Sequence, residues 1–496
     1  MEEDDVLRDS CAVFGCVASP EAVANFSLTN LMYLGLMALQ HRGQESTGMV
    51  TSNGNEMFVK KGMGLVANVY GPESMKHLAG HMAIGHNRYS TAGKSEIVNC
   101  QPFVVNTIHG KIAVAHNGEL VNAQSLRKRI LRHGVGLSTD SDSELITQLM
   151  VSEPPCGEPS GPQWGERIKH LMTVAKCSYS IVILTNDGLY GVRDPYGNRP
   201  LCIGKLDLSV PNETENGKKK ITESSIYILS SESCAFHSIR AKLVRDVKPG
   251  EIIKLSENGI ESLGIVQRQH EDSLPAFCIF EYVYFARADT VFENQLVYEA
   301  RKNCGRRLAI EAPVNADIVS TVPESATPAA FGYSEQSGIP YSQVFVKNRY
   351  VGRTFIQPSN HLRKLGVTTK FGPLTQNFKD KRVVLLDDSI VRGNTMGPII
   401  QLLMESGAKE VHVRIASPPV KHPCFMGINI PTKSELIANR MNAEELAKHL
   451  GATSLVYLST DGLKKAIQQG IKGGKEQNVG HCTACLTGTY PVELEW

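Results

Sequence analysis

The stretch RVVLLDDSIVRGNT (382–395) constrains the fold more than any other part of this 496-residue chain. Val383 to Leu386 form a continuous apolar run, the pattern of a strand covered on both faces and so of a parallel sheet flanked by helices. Asp387 and Asp388 fall at the carboxyl end of that strand, the edge at which open α/β sheets bind ligands. Ser389, Arg392, Gly393, Asn394 and Thr395 follow as a loop ahead of a helical run. Backbone N–H groups, hydroxyls and a guanidinium thus surround a place suited to phosphate, and Gly393 lets the backbone come close to it. Capping the next helix accounts for one Asp or Ser. It does not account for two adjacent carboxylates, which repel each other unless a sugar diol or a cation receives them.

DIVSTV (317–322) is a second strand of the same kind and PIIQLLMESGA (398–408) is helical, so the second half is predicted to alternate as a parallel α/β sheet. The first half mixes short strands with glycine-bearing loops, and Leu31 to Leu39 carries apolar residues at helical spacing. SEPPCGEPSGPQWG (152–165) and PNETENGKKK (211–220) read as polar surface excursions. The length demands more than one core. The expected division is a propeptide over 1–10, a first domain over 11–265, a second over 266–465 and a tail over 466–496. A net charge of +2 offers no broad basic surface for nucleic acid, and no apolar run reaches the roughly 20 residues that span a bilayer. Twelve cysteines without an export signal are expected to be thiols, metal ligands or nucleophiles in a cytoplasmic protein.

The opening MEEDDVLRDSC admits two readings, an acidic tail or a propeptide whose removal frees Cys11. A terminal α-amine titrates near ~7.7–8.0, so an N-terminal cysteine carries its own general base. That chemistry is closed to Cys11 while Ser10 acylates its nitrogen. Composition alone does not choose Cys11 over Cys16.

Resemblance makes the choice. CAVFG, QHRGQES (40–46), HNRYSTAG (86–93), AHNGEL (115–120) and TDSDSE (139–144) occur in the order seen in N-terminal-nucleophile glutamine amidotransferases. The resemblance implies an α+β glutaminase domain, an αββα sandwich, with Cys11 as nucleophile. Arg88 would meet the glutamine α-carboxylate and Asp142 its α-ammonium, while Asn117 and Gly118 would stabilise the oxyanion. Arg42, Gly43 and Thr91 would form the pocket. TDSDSE offers Asp140 as well, and Asp142 is matched by its place directly before Ser-Glu.

The 382–395 stretch in turn resembles the phosphoribosyl pyrophosphate (PRPP) motif of the α/β type I phosphoribosyltransferases. The acidic pair would hold the ribose hydroxyls and the loop the 5′-phosphate. Lys347, Arg349 and Arg353 in KNRYVGRTFIQP (347–358) become a candidate clamp on pyrophosphate, and Ser325 joins Asp387 and Asp388 at a Mg²⁺ site. Together the halves resemble the glutamine-dependent PRPP amidotransferases of purine synthesis. That family implies glutamine and PRPP as substrates, ammonia passed between two sites, inhibition by purine nucleotides, and a homotetramer with one Mg²⁺ per subunit. The aromatics of EYVYFAR (281–287) then either line the passage or simply pack the core.

Cys482 and Cys485 form a C-x-x-C, half of a tetrahedral metal site. Cys278 and Cys424 match the other ligands of the single [4Fe–4S] cluster in one branch of this family, the branch that carries a propeptide. By physics alone zinc suits four thiolates equally well. His422 and His481 read as surface residues, and the remaining cysteines as reduced thiols. The rivals are another glutaminase fusion, such as an aminosugar synthase or asparagine synthetase, and a PRPP-sensing regulator. The acid-pair motif opposes the first, and the near-neutral charge and the glutaminase half oppose the second.

Overall fold

The structure, a computed structural model, describes residues 11–23, 26–89, 95–213, 219–269, 273–348, 350, 369–430, 432–471 and 479–495. The propeptide and the site candidates Thr91, Arg349 and Arg353 lie outside them.

The first half is two stacked antiparallel sheets. One has seven strands in the order Lys242–Asp246, Cys202–Glu213, Lys219–Ser230, Ala12–Val17, Met82–Arg88, Ser46–Ser52 and Met57–Met63. The other has six, in the order Gly259–Ile265, Glu251–Ser256, Leu189–Arg193, Tyr179–Leu184, Gly110–Gly118 and Phe103–Thr107. Val13, Val17 and Ile84 of the first sheet pack with Ala113, Ala115 and Val182 of the second in one buried cluster, which is the layer between the sheets. The outer face of the seven-stranded sheet is covered by the helix Leu28–Ala38, through Leu31, Met32 and Leu36. That of the six-stranded sheet is covered by Ala123–Arg132, Asp142–Val151 and Trp164–Val174. Apolar residues alternate to both faces, so each sheet needs cover on both sides, and the αββα sandwich supplies it.

One expectation is revised. The strands Cys202–Glu213 and Lys219–Ser230 carry their ladder into both ends of PNETENGKKK, from Ser230 opposite Cys202 out to Lys219 opposite Glu213, and residues 214–218 lie outside the described ones. Ladder hydrogen bonds propagate past the composition change, an override that polarity alone does not reveal.

The second half is built on a four-stranded parallel sheet in the order Ile318–Thr321, Arg382–Asp387, Glu410–Ile415 and Ser454–Tyr457. Val383 and Leu385 face one apolar cluster with the helices Met396–Glu405 and Ala443–Leu450. Val384 and Leu386 face another with Val297–Glu311, Thr327–Ser337 and Thr460–Gln468. The continuous apolar run is thus buried on both sides, as a parallel strand requires. EYVYFAR begins as a turn of π-helix, Glu281–Phe285, with Tyr282, Val283 and Phe285 in the core.

Candidate active sites

Cys11 precedes the strand Ala12–Val17, whose first residue lies opposite Asn87 of the strand Met82–Arg88. The thiol is buried and its Sγ is 3.4 Å from the carbonyl of Tyr89. Burial raises its pKa; the Tyr89 contact and the Arg88 guanidinium pull it down, while Glu45 and Asp142 push it up. The residues read as substrate-binding therefore surround the sulfur electrostatically. Arg88 is ion-paired with Glu45. Gly43 lies against the backbone of Asn87 and Arg88. Asp142, in the first turn of the helix Asp142–Val151, is buried and accepts the Leu120 N–H at 3.0 Å. Asp140 is instead exposed, its carboxylate 3.9 Å from Arg127, so the structure separates the two aspartates that TDSDSE offered.

Asn117 and Gly118 end the strand Gly110–Gly118. Asn117 is wholly buried, yet neither its Oδ1 nor its Nδ2 has a hydrogen-bond partner. Leaving such a group unpaired costs about 1–3 kcal/mol, a strain expected where a ligand completes the bonding. Gly118 has φ +144°, and a Cβ there would lie 2.1 Å from the Ser178 carbonyl oxygen.

Arg42 is placed differently from a pocket wall. Its Nε donates to the Cys11 carbonyl at 3.1 Å, and its guanidinium is spent on Glu232 and Glu281, the latter held from both nitrogens at 2.9 and 2.8 Å. Arg199 also pairs with Glu281, and Glu232 further accepts from His41, Thr290 and the Arg287 N–H. Burial opposes the charge on Arg42, but Glu281 and Glu232 outweigh it and its pKa rises; against burial, Glu232 is held below its usual range by His41 and Arg42, and Glu281 by Arg42 and Arg199. Two guanidinium groups and two carboxylates balance in charge, the condition under which buried ions persist. None of Glu232, Glu281 and Arg199 was singled out from the sequence. The one available signal was the acidic Glu281 heading an otherwise aromatic run.

In the second half, Asp387 closes the strand Arg382–Asp387 and its Oδ1 accepts the Asp388 N–H at 3.0 Å. Asp388 is buried, accepts from the Ser389 hydroxyl at 2.8 Å and is hydrogen-bonded to Ser325. Burial raises its pKa against the pull of those hydroxyls and of Arg301. Ser325, Asp388, Arg301 and Val283 line a cavity of about 10 Å³, room for a single water. Lys347 ends the strand Phe345–Lys347 with Nζ 3.7 Å from Glu324, next to Ser325. Gly393, at φ +79°, turns the loop under Ile437, and Asn394 and Thr395 stand exposed before the helix Met396–Glu405. Arg392 is anchored to Glu435 at 3.3 Å. Oxygens of Ser325, Asp387 and Asp388 suit a hard cation.

The four cysteines converge. Cys278 and Cys482 sit opposite each other in a short parallel pair, Phe277–Cys278 with His481–Cys482, and the Cys485 carbonyl accepts the N–H groups of Lys421 and His422. Burial pushes Cys424 and Cys482 up to about 12, reinforced by neighbouring thiols of the set; Cys485 is raised by burial and by all three others. Four thiolates on one zinc ion would stand roughly 3.8 Å apart. Among the described residues one trio of ligand atoms lies within 4.8 Å, His41, Glu232 and Cys234, so no three of these four sulfurs come that close. The His41 trio is the buried anion cluster already described, with Glu232 committed to Arg42. His481 is corrected: its ring is buried, bonded to Glu293 at 3.0 Å and packed on Tyr282, because the pairing of its strand with Phe277–Cys278 turns it inward. All twelve cysteines are free, and Cys156 alone is exposed.

An N-terminal-nucleophile sandwich joined to a phosphoribosyltransferase sheet, each with its site, defines a two-domain glutamine amidotransferase. Residues 86–210 match the model of a glutamine amidotransferase domain. The chain is 57% identical to the amidophosphoribosyltransferase of Rattus norvegicus, over 100% of this chain and 99% of the relative, and 43% identical to that of Methanocaldococcus jannaschii, over 98% of each. It also matches the solved glutamine PRPP amidotransferase of B. subtilis complexed with ADP and GMP, at TM-score 0.83 and 39% identity over 98% of each chain. A structure described as the allosteric regulatory enzyme of purine biosynthesis matches at TM-score 0.84 and 39% identity. The chain belongs to the amidophosphoribosyltransferase family.

Proposed function

We propose that the two sites run one reaction in two halves: glutamine is hydrolysed to glutamate and ammonia, and the ammonia displaces pyrophosphate from C1 of PRPP to give 5-phosphoribosylamine, the first committed step of purine synthesis. Cys11 Sγ attacks the glutamine amide carbon, its proton passing to the free α-amine of the mature terminus. The developing oxyanion is received by the Asn117 side chain and the Gly118 N–H. Loss of ammonia leaves a thioester that water opens, releasing glutamate. Arg88 and Asp142 orient the substrate's α-carboxylate and α-ammonium, with Gly43 and Thr91 shaping the pocket. Arg42 fixes the Cys11 carbonyl.

In the second half Asp387 and Asp388 bind the ribose hydroxyls, and Ser389, Arg392, Gly393, Asn394 and Thr395 cradle the 5′-phosphate. Lys347, Arg349 and Arg353 meet the pyrophosphate. Mg²⁺, held by Ser325, Asp387 and Asp388, supplies charge neutralisation for the leaving pyrophosphate. Cys278, Cys424, Cys482 and Cys485 hold one [4Fe–4S] cluster per subunit in a structural role, since neither half-reaction transfers an electron. Iron and sulfide should accompany the purified protein; stoichiometric zinc alone overturns the assignment. The mature chain starts at Cys11, works in the cytoplasm as a homotetramer and is inhibited by purine nucleotides. The nucleotide complex of the B. subtilis relative supports that last reading; among the described residues no helix is long and apolar enough to cross a membrane.

The observation that carries the reading is the buried, unpartnered Asn117 amide in the same sandwich as Cys11. The test is pyrophosphate release from PRPP driven by glutamine, and separately by ammonium chloride. Both should proceed; PRPP binding with no turnover under either nitrogen source points to a sensor instead.

A further inference from the structure

The second half touches the first beside the residues read as the oxyanion site. Gly427, φ +85°, lies so close to Gly118 that a Cβ on it would stand 2.7 and 2.8 Å from the Gly118 carbonyl carbon and Cα, and 3.0 Å from the Glu119 nitrogen. Gly118 also meets the Ser178 carbonyl, which accepts the Glu119 N–H at 3.0 Å, while the Ser178 N–H donates to the Glu119 carbonyl at 2.7 Å. The Ser178 hydroxyl in turn donates to the Met426 carbonyl at 2.8 Å, fully buried, and the Met426 N–H points at Cys424 Sγ, 3.3 Å away. The backbone that presents the Gly118 N–H is therefore gripped between Ser178 and a loop from the other domain.

We propose that the loop 424–428 of the phosphoribosyl half is a brace for the oxyanion site of the glutaminase half, with Gly427 and Ser178 as its positioning residues. The proposal rests on the oxyanion role read for Asn117 and Gly118. An oxyanion donor must be fixed before charge develops, because reorienting it during reaction forfeits its benefit. The donors meet full negative charge only in the tetrahedral state, so loosening them lowers kcat and leaves the binding of glutamine itself untouched. The ammonia-driven reaction does not pass through this state.

The test compares Gly427→Ala, Ser178→Ala and Asn117→Ala in the full chain, measuring kcat and KM for glutamine and, separately, synthesis with ammonium chloride. Gly427→Ala adds a methyl where there is no room and on a left-handed backbone, and should lower glutamine-driven kcat about 100-fold, the scale of a lost oxyanion donor. Ser178→Ala removes one hydrogen bond and should lower it about 5- to 10-fold, a loss on the scale of one buried hydrogen bond. In both, KM for glutamine and ammonia-driven synthesis should stay within about twofold, as expected when only transition-state contacts are lost. If Gly427→Ala does not fold, Ser178→Ala decides alone. Equal loss of both nitrogen sources, or a rise in KM at constant kcat, overturns the brace. If Asn117→Ala is crippled while the other two are normal, the brace fails and the oxyanion reading stands; if Asn117→Ala is itself normal, the oxyanion reading fails first.

Discussion

The two sites solve opposite problems. Around Cys11 the charged groups are buried and already paired: Arg88 with Glu45, Arg42 with Glu232 and Glu281, Asp142 with a backbone N–H. Around Asp387 the groups stand at the rim of a sheet, with Asn394 and Thr395 exposed and Lys347 half-exposed. A small zwitterion whose product must not escape calls for an enclosed pocket with preset donors. A sugar that carries both a phosphate and a pyrophosphate is a polyanion, better met by loop N–H groups and basic side chains that can still adjust. On the proposed reading, rigidity is placed where ammonia is made, and access where the bulky anion enters.

Substitutions can break this contrast. The largest effect is expected from Cys11→Ser, which should lower glutamine-driven synthesis by about four orders of magnitude or more and leave ammonium-driven synthesis intact. Equal loss of both in a folded variant would mean the halves do not divide the chemistry. Asp387→Asn with Asp388→Asn should lower both reactions by about 10²- to 10³-fold through lost positioning, read as pyrophosphate release with either nitrogen source. Glu281→Gln leaves Arg42 and Arg199 short of a buried counter-charge, which costs about 3–5 kcal/mol; the denaturation midpoint should fall, whereas an unchanged midpoint would make the cluster ornamental.

The smallest effect concerns pH. Burial first, and then Asp142, raise the Glu119 carboxyl to about 7. A raised acid contributes stability that is complete below its unfolded value, near ~4.3, and is lost as pH climbs through about 7. Glu119→Gln removes that dependence, so the variant should gain on the parent by about 2–3 kcal/mol between pH 5 and 8. A constant difference across that range refutes it.

Sequence runs carried the strand ends well. Val383 to Leu386 named their own burial, and TDSDSE offered Asp142 by its place before Ser-Glu, the aspartate that the structure buries while it leaves Asp140 exposed. What stayed illegible were partners made by topology. Glu232 sits in SSESC, which has no chemical signature, and meets Arg42 across 190 residues. Gly427 in CFMGI looks like any turn glycine until the sandwich puts Gly118 against it. Pairings at such separations are fixed by how sheets and domains pack, and a local pattern holds no record of them.

The Arg42–Glu281 pair spans 239 residues, and that distance is also a delay. A ribosome adding about 5–20 residues per second makes Arg42 some tens of seconds before its partner exists. The sandwich can collapse in that interval with Glu232 beside Arg42, but the second of the guanidinium's two carboxylates arrives only with the phosphoribosyl half. The ion cluster behind the Cys11 carbonyl is thereby completed only once the phosphoribosyl half has begun to emerge.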